Sequence, residues 1–161
     1  MLPESTLTQA ESLLAACRER RIILATAESC TGGLIAAALT AVAGSSDVVD
    51  RGFVTYSNDA KHRMVGVPVE LIQTHGAVSE PVAHAMAEGA RSNSDATIAI
   101  AVTGVAGPGG GSAEKPVGLV CFGLARAGRP TVTERHILPG DRADIRAATV
   151  AHAFQMIRDA L

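Results

Sequence analysis

Apolar positions give the first outline of the chain. Between residues 5 and 20, Leu7, Leu13, Leu14 and Cys17 fall on one side of a helical wheel and Glu11, Arg18 and Glu19 elsewhere. That spacing predicts an amphipathic helix, with Ser5 or Thr6 as its cap. RIILAT (21–26) predicts a short buried strand, and TGGLIAAALTAV (31–42) a helix whose small residues permit close packing. DVVDRGFVTYS (47–57) alternates enough for a strand. NDAKHRMVGV (58–67) then starts a helix with Asn58 as cap and Pro68 as stop, and PVELIQTHG is a short helix closed by Gly76. SEPVAHAMAEGARSNS (79–94) is a further helix, with Ser79 at the N-cap and Pro81 in the first turn. ATIAIAVTG (96–104) is a continuous apolar run, the pattern of a strand buried on both faces. A glycine-rich loop (105–115) follows. PVGLVCFGLAR and PTVTERHIL then read as two strands joined by AGR, an antiparallel hairpin. Residues 141–161 form a long terminal helix capped by Asp141.

The sum is about four helices, with shorter turns, around about five strands, without an internal repeat or a linker. The expectation is one domain over residues 1–161 of the α/β class: a three-layer α/β/α sandwich with a mixed, mostly parallel sheet.

Composition narrows the function classes. Apolar residues make up 47% of the 161, which excludes a disordered chain. Fourteen basic residues against 16 acidic ones, a net charge of −2, leave no broad basic face for nucleic acid. No apolar run reaches the roughly 20 residues of a membrane span, and the N-terminus lacks the pattern of a secretory signal. Three cysteines without a CxxC spacing read as reduced thiols of a cytoplasmic protein. With three Phe, one Tyr and no Trp, the core must be built from Ala, Val, Ile and Leu. Ala-rich helices and the hairpin edge point to self-association, with a homodimer as the base-rate choice over a higher homo-oligomer. Among the 14 basic residues only Lys61 and Lys115 are lysines. A coding bias towards Arg accounts for that, yet lysine can lose its proton in a protein and arginine cannot.

Three polar segments sit at the ends of predicted strands, where open α/β sheets bind ligands: ESCTGG, TYSNDAK and VTGVAGPGGG. In the first, Ser29 can be a nucleophile, an N-cap or a phosphate ligand. With a helix starting near Thr31, the free N–H groups of residues 30–33 would face whatever Ser29 approaches. The segment is not the GxSxG elbow of α/β-hydrolases. Cys30 reads as a small apolar filler, with nucleophile as the minority alternative. The second segment holds the only tyrosine, Tyr56, and Lys61. Buried, Lys61 could be neutral near pH 7 and act as a general base; otherwise it is a solvated lysine on a helix. Ser57, one helical turn before Lys61, competes with Ser29 as its partner. The third segment resembles an anion-binding loop, or is a flexible surface loop. It is neither a Walker A sequence nor a dinucleotide fingerprint. The five histidines, His62, His75, His84, His136 and His152, are scattered without an HExxH pair, so no metal site is expected. Glu28 has no assigned role beyond a salt bridge or a hydrogen bond.

Taken together, TAESCTGG, TYSNDAKHRMVGV, GAVSEPVAHAMAEGA and AVTGVAGPGGGSAEKPVG resemble the C-terminal domain of the CinA (competence/damage-inducible) family, from about residue 5 to the C-terminus. The N-terminal molybdopterin-binding-like domain of full-length family members is not part of this sequence. Stand-alone, PncC-like members are similar to nicotinamide-nucleotide amidase. The resemblance implies hydrolysis of nicotinamide mononucleotide to nicotinate mononucleotide and ammonia by a Ser–Lys amidase, with neither metal nor other cofactor. Carried onto this chain, it places the nucleophile on Ser29 and the base on Lys61, with Tyr56 and Thr103 as supporting polar groups. Cys30, Thr31, Gly32, Gly33, Gly104 and Gly107 are then candidates for holding substrate, and Arg142 is a further one from the less distinctive tail. The partner so implied is a small nucleotide. A non-catalytic nucleotide-binding or interaction domain is the alternative from another function class.

Overall fold

A computed structural model describes residues 2–161. In chain order the elements are α1 (Glu4–Glu19), β1 (Leu24–Glu28), α2 (Leu34–Thr40), β2 (Val49–Val54), α3 (Asn58–Val65), α4 (Val69–His75), α5 (Glu80–Ser92), β3 (Ile98–Gly104), β4 (Leu119–Arg126), β5 (Val132–Ile137) and α6 (Arg142–Asp159). A single 3₁₀ turn, Ser45–Asp47, precedes β2.

The five strands form one sheet in the order β2-β1-β3-β4-β5. β1 pairs in parallel with β2 and β3, while β3–β4 and β4–β5 are antiparallel. Only β4 therefore runs against the others, so the sheet is mixed but mostly parallel in direction. The order 2-1-3 creates a switch point between β1 and β3, where connections leave the sheet to opposite sides.

Alternation along the central strands divides the core in two. Leu24, Ile98, Ile100, Val102 and Phe122 face α1, α2 and α6 through residues such as Leu13, Ile35 and Phe154. Ala25, Ala27, Ala99 and Ala101 face Val65 of α3, Ile72 of α4 and Met86 of α5. Helices thus cover both faces, giving three layers. Alanines on the second face let α5 lie close to the strands.

Several expected boundaries move. β1 starts three residues later than predicted, because the chain turns at Arg21 (φ 53°) before entering the sheet. α1 begins after Pro3 with no side-chain cap, so neither Ser5 nor Thr6 caps it. Ser57, not Asn58, caps α3, its hydroxyl accepting from Ala60 N–H at 3.0 Å. Ser79 caps α5 as expected. Asp141 caps α6 within a reciprocal pair with Asp144.

Candidate active site

Ser29 follows β1 directly. Its N–H donates to Val102 O of β3 at 3.0 Å, so the sheet ladder runs one residue beyond the strand and fixes the serine at the switch point. From there the side chain meets Lys61. The lysine Nζ lies 2.9 Å from Ser29 Oγ and 2.9 Å from the carbonyl oxygen of Thr55, just after β2. Lys61 is 1% exposed and Ser29 8%. Burial pushes the Lys61 pKa below its ordinary value, because the ammonium is deprived of water. Ser57, the other candidate partner, is occupied in capping α3.

The Ser29 hydroxyl does not cap α2, and that helix does not start near Thr31. It starts at Leu34 after an N-cap at Gly33. Gly32 and Gly33 take positive φ values of 59° and 101°, a path that a side chain would strain. The capping is done by Glu28. Its buried carboxylate accepts from Ile35 N–H at 2.8 Å, Ala36 N–H at 3.0 Å, Thr31 Oγ1 at 2.7 Å and Thr26 Oγ1 at 3.3 Å. The positive end of α2 is therefore already filled by a protein anion. Gly32 N–H is also committed, to Ser29 O at 3.0 Å. Of the donors expected around Ser29, the N–H groups of Cys30, Thr31 and Gly33 have no oxygen acceptor among the described residues.

Ser29, Cys30, Tyr56, Gly104, Ala106 and Arg142 line a cleft of about 160 Å³. Gly104 is required here: a Cβ would stand 3.1 Å from Cys30 Sγ and 2.9 Å from Leu119 O. Cys30 itself is buried, and burial pushes its thiol up to about 11, so it stays protonated and packs as an apolar group. Arg142, on the first turn of α6, spans the cleft. It donates to Gly107 O at 2.8 Å and to Tyr56 Oη at 3.2 Å. Gly107 thus offers this site a carbonyl, while Gly109, Gly110 and Gly111 are exposed and lie outside the cleft lining. A shallower hollow of about 400 Å³, lined by Pro108, Asp141, Arg142, Ala143 and Arg146, adjoins it through Arg142.

Thr103 sits at the same end of the sheet, one residue past the Glu28–Val102 register pair. Its hydroxyl donates to Ala77 O at 2.9 Å and it is 1% exposed, so it stays outside the cleft lining and ties the α4–α5 connection to β3. Two contributors were not anticipated. Arg146, one turn after Arg142, donates to Cys30 O at 3.2 Å and Thr31 O at 3.0 Å, holding the turn that carries Ser29. Glu28 fixes the same turn from beneath. The i, i+4 arginine pair following the Asp141 cap was the only sequence signal for Arg146.

The histidines are not all scattered in space. His136 and His152 meet at Glu134, away from this cleft, although their spacing along the chain gives no sign of it. No helix of the described residues is long and apolar enough to cross a membrane.

Comparison with known proteins converges. The family model described as CinA C-terminal domain matches residues 6–161. A CinA-like protein of Mycolicibacterium vanbaalenii is 55% identical over 138 residues, 86% of this chain and 33% of its own length. The chain thus spans about a third of the length of such curated relatives. The crystal structure of competence/damage inducible protein CihA from Agrobacterium tumefaciens superposes with a TM-score of 0.95 at 48% identity, covering 99% of this chain and 97% of that one. A CinA superfamily protein of Escherichia coli gives a TM-score of 0.92 at 33% identity, over 100% and 94% of the two chains.

Proposed function

The chain belongs to the CinA C-terminal domain family, and from that membership together with the Ser29–Lys61 contact we propose that it is an amidohydrolase acting on nicotinamide mononucleotide. The observation that carries the reading is the buried Lys61 Nζ at 2.9 Å from Ser29 Oγ. A lysine whose pKa burial lowers holds its proton less tightly, which suits it to act as a general base, and Ser–Lys pairs are an established variant of the serine triad.

In the proposed reaction, neutral Lys61 accepts the Ser29 hydroxyl proton as Oγ attacks the carboxamide carbon. Lys61 keeps its geometry through the Thr55 carbonyl. The N–H of Cys30, the residue after the nucleophile, supports the oxyanion, with Thr31 N–H as a second candidate donor. The Lys61 ammonium returns its proton to the leaving nitrogen, and ammonia departs. Water then attacks the ester, Lys61 again taking the proton, and Ser29 is released with nicotinate mononucleotide. The fixed positive charge of the substrate pyridinium would depress the Lys61 pKa further. Arg142, held by Gly107 and Tyr56, and Arg146 supply positive charge for the substrate phosphate.

Ammonia release from nicotinamide, its riboside and its mononucleotide, measured side by side, tests the reading. Turnover strongly favouring the mononucleotide over the riboside and nicotinamide is the expected result. A mononucleotide that raises the melting temperature without any ammonia would replace the amidase by a binding domain.

A further inference from the structure

Glu134 and His136 lie two residues apart on β5 and so share one face of the sheet. α6 brings His152 to that face. Nε2 of His136 and Nε2 of His152 each stand 2.7 Å from the same Oε2 of Glu134. One ligand atom from each of the three residues lies within 4.8 Å of the others. Phe122 holds both rings edge-on, at centroid distances of 5.8 Å and 4.7 Å, and the two imidazoles are 4.3 Å apart. Two rings in contact thus share a single carboxylate oxygen. All three side chains are partly exposed, so water has access to the cluster.

We propose that Glu134, His136 and His152 form a binding site for a first-row divalent cation of the zinc class, with water completing its coordination. Two imidazoles and one carboxylate suit zinc, cobalt or nickel; magnesium and calcium prefer all-oxygen sets. Zinc–ligand bonds of about 2.0–2.2 Å at tetrahedral angles separate ligand atoms by about 3.3 Å. The 2.7 Å contacts therefore need only open slightly, by side-chain rotation at a partly exposed carboxylate. An ion there would pin the edge strand β5 to α6. It would not reach Ser29. His152 lies about 15 Å along α6 from Arg142 at the ordinary helical rise, and Lys61 comes from the opposite face of the sheet.

The test is titration of the tag-free, chelator-stripped chain with cobalt chloride, and separately with zinc chloride. Expected are cobalt d–d bands saturating near about one equivalent, without a thiolate charge-transfer band, and a rise in melting temperature with zinc. His136→Gln and His152→Gln should each weaken cobalt binding by at least about tenfold. Should either variant fail to fold, zinc titration of the wild type followed by its histidine ring NMR signals replaces it, with two of the five rings expected to shift. No cobalt band and no zinc effect in the wild type overturns the proposal. So does undiminished binding in either folded variant, a thiolate band, or ring shifts at other histidines.

Discussion

Two polar clusters sit on opposite faces of the same sheet, and water separates their chemistry. Lys61 and Thr55 are buried beneath the α3–α5 layer, with Lys61 1% exposed, and Ser29 joins them to the cleft that it lines. Glu134, His136 and His152 stand on the α6 face with side chains 28–42% exposed. In the first, burial strips a cation of its solvation and favours the neutral amine, which makes a base. In the second, water remains to share the load of charge, so a carboxylate can stay ionised between two imidazoles. The same elements, a lysine or a histidine beside an oxygen, are suited to the proposed proton transfer on the dry side and to the proposed ion binding on the wet one.

The contrast can be broken most sharply at the dry cluster. Lys61→Arg keeps the charge but cannot release a proton. Loss of the base should lower kcat for ammonia release by about 10²–10⁴-fold, whereas an activity near wild type would mean that Lys61 acts only by charge. Arg142→Ala removes the guanidinium between Gly107 and Tyr56. It should raise KM for the mononucleotide by about tenfold or more, as loss of a charge-assisted hydrogen bond does, and leave the poorer riboside much less affected. Equal effects on both would detach Arg142 from the phosphate.

Stability offers two finer probes. Glu28→Ala strands the buried N–H of Ile35 and the part-buried N–H of Ala36, and denaturant unfolding should show a loss of about 2–4 kcal/mol. A loss below about 0.5 kcal/mol, the range of neutral surface changes, would deny Glu28 its capping role. The smaller effect is in pH. Lys61 has a lowered pKa in the folded chain and an ordinary one when unfolded. Between those two values the unfolded state binds more protons, so folding gains stability as pH rises through that window towards 10.5. Lys61→Met lacks this contribution, so the stability of wild type relative to the variant should increase with pH there. A flat difference would mean that Lys61 is not desolvated.

How far the chain could be read before folding follows the same division. Layer order and strand count were accessible because each depends on contiguous segments, whereas the Ser29–Lys61 pairing, 32 residues apart, was reached through a rare lysine in a strand-end segment together with the family resemblance. The start of α2 was misplaced because Thr31-Gly32-Gly33 resembles a helix start. In fact a buried acid one residue before Ser29 does the capping, and no local pattern announces an acid reaching forward seven and eight residues. Thr103 was placed by its segment, but its hydroxyl is drawn to Ala77, a partner 26 residues away. The histidine cluster was invisible for the same reason. His136 and His152 meet only because α6 folds back across β5, and spacing along the chain carries no trace of it.

Side-by-side turnover of Ser29→Ala and Cys30→Ala on nicotinamide mononucleotide tests the central claim most directly. With Ser29 as nucleophile and the Cys30 thiol pushed up to about 11, Ser29→Ala should lose at least about 10⁴-fold in kcat. Cys30→Ala should stay within about tenfold, since it removes packing and leaves the backbone N–H in place. An active Ser29→Ala beside a dead Cys30→Ala would contradict the account and move the chemistry to the sulfur.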